Sequence, residues 1–360
     1  MASRYELAEL EAEAREIGVF LPLEYETASL DAKGQLHGRT VENRAVLLMQ
    51  PVYDADETGA PTKATVARYC DAVRAKQYGL LWTEPIAVTP EARAHAHQLM
   101  LTEENASAFA ALVQAIGEAS EAAHGSAPMQ IALLGHAGAD ALTPAAVEPV
   151  AGVPEEVTEL TDEALLLLAA SCGSAAAYAE KAGFSGIALD AGDSSLFAVS
   201  LAAFHRGGRF GGDFDDRTRF LRDCYTAMHL AVKDAFLTIR LSLADGLPQP
   251  GGWGMGYENP DAPDLYEPTL LLEILRALYG VELVCCAVGT APYHWMQAEK
   301  AEREIVRVSR LCTCIAMLDS NRQQNVQLIV PQTDASEIPF PHLAAGMIAG
   351  EFASYAGYTG

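Results

Sequence analysis

Short, continuously apolar runs alternate with longer stretches of helical periodicity along the chain once its first 40 residues are past. The runs are AVLLMQ (45–50), GLLWTE (79–84), MQIALLG (129–135), GIALD (186–190), FLTIRLS (236–242), VELVCCAVG (281–289), VQLIV (326–330) and FASYAG (352–357), which predicts eight strands. Amphipathic or apolar helical stretches fall between them at 63–77, 103–124, 161–182, 215–234, 267–279, 298–318 and 336–350. Boundary chemistry supports the division. TEEN (102–105) and TDEA (161–164) read as helix starts, with a capping Thr and acids in the first turn, and AGF (182–184) supplies a glycine stop.

Strands that are apolar on both faces and alternate with helices belong to a parallel sheet covered on both sides. Eight such units predict an α/β fold of the (β/α)8 TIM-barrel type over residues 41–360, behind an N-terminal helical extension, residues 1–40. A doubly wound open sheet is the rival, but no G-x-G-x-x-G follows the first run, so nothing supports a dinucleotide-binding domain of that kind. The sequence ends at Tyr358-Thr359-Gly360, directly after the eighth run. The final barrel helix is therefore expected to be lacking: the N-terminal helix (about 3–17) or a partner subunit covers its place, or the sequence stops short of it.

Charge narrows the function. With 48 acidic against 24 basic side chains and a net charge of −24, the chain lacks the clustered cations that nucleic acid requires. The acids concentrate on helical stretches such as ELAELEAEAREIG, as expected of a solvated surface. Seven cysteines at irregular spacing, with no signal peptide ahead of them, predict a reducing, cytoplasmic setting. Cys312 and Cys314 form a C-x-C with no second pair at metal-site spacing, so buried thiols are expected there and no metal. The most apolar stretch, EALLLLAASCGSAAAYAEKAG, is broken by Ser, Cys and Gly and reads as a buried helix, not a membrane span.

Barrel active sites are built from residues just past the C-terminal ends of the strands. Here those positions hold Gln50 and Tyr53, Glu84, His136, Asp190 and Asp193, Arg240, Tyr293 and Gln332. A polar residue past a strand is usually a cap, but several ionisable groups converging on one mouth favour a site. Asp190 and Asp193 are the notable pair. Two carboxylates a loop apart in a pocket do not both ionise cheaply, which suits general acid/base work in which one takes a proton and the other gives one.

Several stretches carry a family resemblance. RFGGDFDDRTRFL (209–221) is similar to the Y-G-G-S-x-x-N-R-x-R-F-L block of the old yellow enzyme (NADH:flavin oxidoreductase) family, and NRAVLLMQPVYDADETGAPT (43–62) resembles its N-R-I-V-M-x-P-M…D-G-x-P-T opening. GLLWTEPIAVTPEAR (79–93), GHAG (135–138), FLTIRLS (236–242) and VGTAPYHW (288–295) resemble further segments in the family's order. The resemblance implies a barrel that binds FMN at the strand ends and uses NAD(P)H to reduce carbon–carbon double bonds conjugated to a carbonyl. It also places Arg240 where the family's Arg faces the flavin N1 and O2 edge, with Gln50, Glu84 and Gln332 as further cofactor contacts if FMN is bound.

The chemistry departs from the pattern more than the fold does. Leu133 stands near the family's flavin-binding Gln, Ala139 replaces the Arg of H-A-G-R, and VPQTDAS (330–336) and GYTG (357–360) lie where a V-G-S-G loop and a G-R step hold the phosphate. Asp190, Asp193 and Ser195 occupy the places of the H-x-x-H-G-Y-L or K-x-x-H-G-Y-L motif. The first reading is therefore an acid/base enzyme (isomerisation, elimination or cyclisation) on a small conjugated carbonyl compound, with FMN binding weakened or lost. In it Asp193 is the acid/base group, Asp190 its partner, Arg240 and His136 stabilise an oxyanion, and Tyr293 completes the site. The alternatives are an FMN-dependent NAD(P)H reductase and a non-catalytic subunit. A small-molecule substrate and a homo-oligomer, or a hetero-oligomer with a related subunit, are the expected partners.

Overall fold

The computed structural model describes residues 31–288 except 149–156, 193–194, 248, 250 and 260–261, together with short stretches before and after. Six parallel strands follow one another round the sheet: Val46–Leu48, Leu80–Trp82, Met129–Gly135, Gly186–Ala191, Phe236–Ser242 and Leu283–Ala287. Gln327–Ile329 pairs with the sixth, and Gln332–Thr333 pairs with the first, so the sheet curls into a cylinder. Helices Lys63–Ala75, Ala106–His124, Asp162–Ala182, Arg219–Ala231 and Tyr266–Tyr279 connect the first six strands. This is the (β/α)8-barrel architecture.

Strand alternation builds two cores. Val46, Leu48, Leu80, Trp82, Ile131, Leu133, Ala188, Leu283 and Cys285 face inward and fill the cylinder, while Leu47, Leu81, Ala132, Leu134, Ile187, Leu189, Ile239 and Val284 point outward beneath the helices. Both sets are buried, which is why the strands read as unbroken apolar runs.

Helix boundaries follow local chemistry. The Thr161 hydroxyl accepts the Ala164 N–H, and Gly183 ends the same helix at φ +96°, as the sequence suggests. The second helix begins later than the TEEN signal implies. Thr102–Asn105 forms a turn in which Asn105 Oδ1 accepts the Thr102 N–H, and the helix starts at Ala106. The expected helix at 215–234 is split into Phe214–Arg217 and Arg219–Ala231. The break accommodates Arg217, which is fully buried, donates to Leu201 O and Glu267, and lies 3.9 Å from the Phe204 ring centroid. The most specific sequence block thus anchors helices and lies away from the barrel mouth.

The segment expected to be a helical extension is helical at Ala12 and over residues 14–16, and it also contributes a β-hairpin where it meets the barrel. Gly34–Leu36 pairs antiparallel with Arg39–Val41. Leu36 and Val41 join the interior cluster, and His37 stacks on Phe236 at 4.5 Å, so the hairpin plugs the lower end of the cylinder. Alternation of Leu36 and Val41 with exposed neighbours, around a turn glycine at φ +72°, is strand chemistry; a helix would need another period. At the other end of the chain Ala356–Tyr358 is a strand, but it pairs antiparallel with Leu343–Ala345, inside the stretch expected to be helical. The glycine-bearing triplet AGY offers little apolar surface for a central barrel position. The other residues of 289–326, and with them most of the expected 298–318 helix, lie outside the described residues.

The hairpin plug is testable. Leu36→Ala leaves a cavity at the base of the interior core and should lower unfolding stability by about 2–4 kcal/mol, read from the urea midpoint.

Candidate functional site

The upper mouth of the cylinder holds a cavity of about 260 Å3 whose wall includes Gln50, Tyr53, His136, Asp190, Gly192 and Arg240. Its centre is set by sheet register. Arg240 and Asp190 are direct neighbours on adjacent parallel strands and both face inward, so Arg240 Nη1 donates to Asp190 Oδ1 at 2.8 Å. Their side chains are only 11% and 7% exposed, so the two charges depend on each other. Removing one partner of such a buried pair costs about 3–5 kcal/mol.

The surrounding backbone holds this pair in place. Gly192 N–H donates to the same Asp190 oxygen at 3.2 Å, and a Cβ at Gly192 would come within 2.5 Å of Arg240 Nη1, so only glycine lets the guanidinium pass beneath it. Ser195 Oγ donates to Asp190 O at 2.5 Å and accepts the Ala198 N–H, starting the short helix Leu196–Ser200. The sequence pairs Asp190 with Asp193. In the structure Asp190 meets a guanidinium, and Asp193 lies outside the described residues.

His136, past the third strand, is 5% exposed. Burial drives its pKa down to about 4, with Glu91 acting weakly the other way. The ring is therefore neutral at pH 7. Its Nδ1 accepts the Gly138 N–H at 3.0 Å, which puts the proton on Nε2. Nε2 has no hydrogen-bond partner among the described residues, so the imidazole presents an uncharged donor to the cavity.

Two candidates from the first strand lie on the cavity wall. Gln50 is exposed there, and Tyr53, at φ +56°, stacks on His95 with centroids 4.8 Å apart. Glu84 is different. It is 1% exposed, accepts from Arg68 Nη2 at 2.5 Å and from Tyr69 Oη at 3.3 Å, and is not part of the cavity wall. Arg68 also grips Asp54 at 3.0 Å, so the expected cofactor contact instead ties the first strand's loop to the first helix. A buried carboxylate turns to the nearest cation. Gln332 is placed by its backbone pairing with Leu47, and Tyr293 lies outside the described residues. Trp82 fills the cylinder interior, fully buried.

Sequence reasoning missed Asp245. It follows the fifth strand, is 3% exposed, and accepts the N–H groups of Leu247 and Trp253 at 2.9 and 2.6 Å. Trp253 Nε1 in turn donates to Ser242 O, so Leu247 and Trp253 are both tied back to the end of the fifth strand. Burial lifts its pKa to about 7 against the pull of those N–H donors. The local signal was Asp two residues before a buried amide, an Asx-type turn that a sequence shows only weakly.

A parallel barrel with a small cavity at the strand ends, floored by an ion pair and walled by a neutral imidazole, defines a TIM barrel with a candidate site at its mouth. Residues 35–253 match the family model described as NADH:flavin oxidoreductase / NADH oxidase. An NADPH dehydrogenase of Halalkalibacterium halodurans is 26% identical over 222 residues, covering 58% of this chain and 61% of that protein. Among solved structures, a 2-naphthoyl-CoA reductase complex superposes with a TM-score of 0.64 at 18% identity, over 74% of this chain and 41% of that one. The old yellow enzyme of Pichia sp. AKU4542 superposes with a TM-score of 0.59 at 19% identity, over 72% and 70% of the two chains. These structures share the fold. The chain belongs to the NADH:flavin oxidoreductase / NADH oxidase family.

Two outcomes are expected from the geometry. Gly192→Ala forces Arg240 off Asp190 and should destabilise the chain by about 1–3 kcal/mol in chemical unfolding. Asp245, with a folded pKa raised to about 7, binds a proton that the unfolded chain has already lost, so its contribution to stability is present below about pH 4 and is lost as pH rises through 7. Asp245→Asn should flatten that part of the stability–pH profile, measured by urea unfolding at stepped pH.

Proposed function

We propose that this chain is a divergent member of its family that binds a small conjugated carbonyl compound at the barrel mouth and moves a proton on it. The single observation that supports this most is the 2.8 Å contact between Asp190 and Arg240. FMN, which the family implies, needs donors and positive charge along the N1 and O2 edge of its ring. Arg240 occupies the corresponding strand, but its charge is matched by a carboxylate in contact. Leu133 on the neighbouring wall has no polar atom, and Glu84 is engaged by Arg68. These contacts leave that edge few donors among the described residues, which supports the reading in which flavin binding is weakened.

The proposed chemistry uses the side chains alone. The substrate oxygen accepts a hydrogen bond from the Nε2–H of neutral His136. Asp193 takes a proton from carbon, the electron pair moves to that oxygen to give an enolate held by the His136 hydrogen bond, and the protonated Asp193 returns its proton at a different carbon as the carbonyl re-forms. Asp190 holds Arg240 in position, and Tyr293 completes the site. A neutral imidazole donor aimed at that oxygen stabilises the developing negative charge without first losing a proton, and Arg240, held by Asp190, fixes the floor beneath it.

A second reading is FMN-dependent reduction with NAD(P)H, favoured by the family match over residues 35–253 and by the position of Arg240 on the cavity wall. The two separate on purified protein. The first expects a colourless chain whose melting temperature does not rise with added FMN. It also expects solvent deuterium to enter cyclohexenone, followed by NMR, at a rate that falls about 100-fold or more in His136→Ala. Visible flavin absorbance or stabilisation by FMN would overturn it in favour of the second.

A further inference from the structure

We propose that the cavity selects by charge: it accepts uncharged planar carbonyl compounds and turns away carboxylates and phosphates of the same shape. This rests on the mouth being the binding site of the proposed function, and is independent of the chemistry performed there.

The wall carries the argument. Among the described lining residues the ionised groups are Arg240, Asp190 and Asp140. Arg240 is already in contact with Asp190, so an incoming anion meets a neutralised cation and, at the rim, the exposed carboxylate of Asp140. Glu91 adds negative charge near His136. His136 cannot compensate, because its ring is uncharged and offers one neutral N–H. The net charge of −24 places the whole mouth in a negative field. An anion would have to pry Asp190 from Arg240 or sit unpaired in a dry pocket, and both are costly.

The rest of the wall suits a flat, uncharged body. Leu48, Met49, Pro85 and Leu133 supply apolar surface, and Tyr53 lines the cavity with its ring stacked on His95. A carbonyl oxygen is the matching partner for the single donor of His136.

The test uses two probes of one shape, cinnamamide and cinnamate, titrated calorimetrically into the full chain at pH 7.5. Cinnamamide should bind at least about tenfold more tightly, and the gap should narrow as salt is raised. Asp190→Asn removes the carboxylate in contact with Arg240 and should improve cinnamate binding about tenfold or more. Should that variant fail to fold, Asp140→Asn at the exposed rim should narrow the gap between the two probes about twofold in favour of cinnamate, and an unchanged gap counts against the proposal. Equal affinity for the two probes, or no binding of either, overturns the proposal. Discrimination without deuterium exchange removes the proton-transfer reading and leaves charge selection standing; exchange with equal affinities does the reverse.

Discussion

One ion pair, Asp190 with Arg240, governs the mouth of this barrel. Adjacent parallel strands put the two residues opposite each other, and strand alternation turns both inward, where neither charge could be tolerated alone. Everything nearby is arranged around it. Gly192 leaves space for the guanidinium, its N–H steadies the carboxylate, and Ser195 fastens the following turn to the Asp190 carbonyl. The same pair sets the chemical character of the cavity.

Around that centre, charged residues are used as fasteners. Arg68 joins Asp54 and Glu84, and Arg206 joins Glu159 and Asp162, each tying a loop or a strand end to a helix, while Arg217 joins Glu267 and so ties two helices together. Arg206 and Arg217 are almost wholly buried, and each also donates to a backbone carbonyl. Buried guanidiniums need several acceptors, so such residues specify which segments meet. This explains how a conspicuous sequence block can be diagnostic of the family while lying away from the cavity. The block's Arg217 and its neighbours Phe220 and Leu221 are core residues, retained by packing.

The barrel's first six strands were legible because a strand buried on both faces has no polar alternation to obscure it, as in MQIALLG and FLTIRLS. Thr161 and Gly183 were legible as caps because their roles depend on a few adjacent atoms. The hairpin at 34–41 was not, since its two three-residue strands are defined by contacts with the barrel interior. Gln50, Tyr53, His136, Asp190 and Arg240 were legible as site residues from their positions at or just past the strand ends, and the structure gathers all five on one cavity wall. Glu84 met the same criterion yet turned to Arg68, a partner on the first helix that strand position does not disclose.

The sequence by itself determined the succession of strands and helices, the family, and which polar side chains stand at the barrel mouth, because each depends on local period and strand-end position. Tertiary structure alone decided what those side chains do to one another. Sheet register set Arg240 beside Asp190, and His136 became a neutral donor only through burial and the Gly138 N–H. Charge state and hydrogen-bonding role depend on neighbours across the sheet, and for Asp190 that neighbour is 50 residues away in the chain.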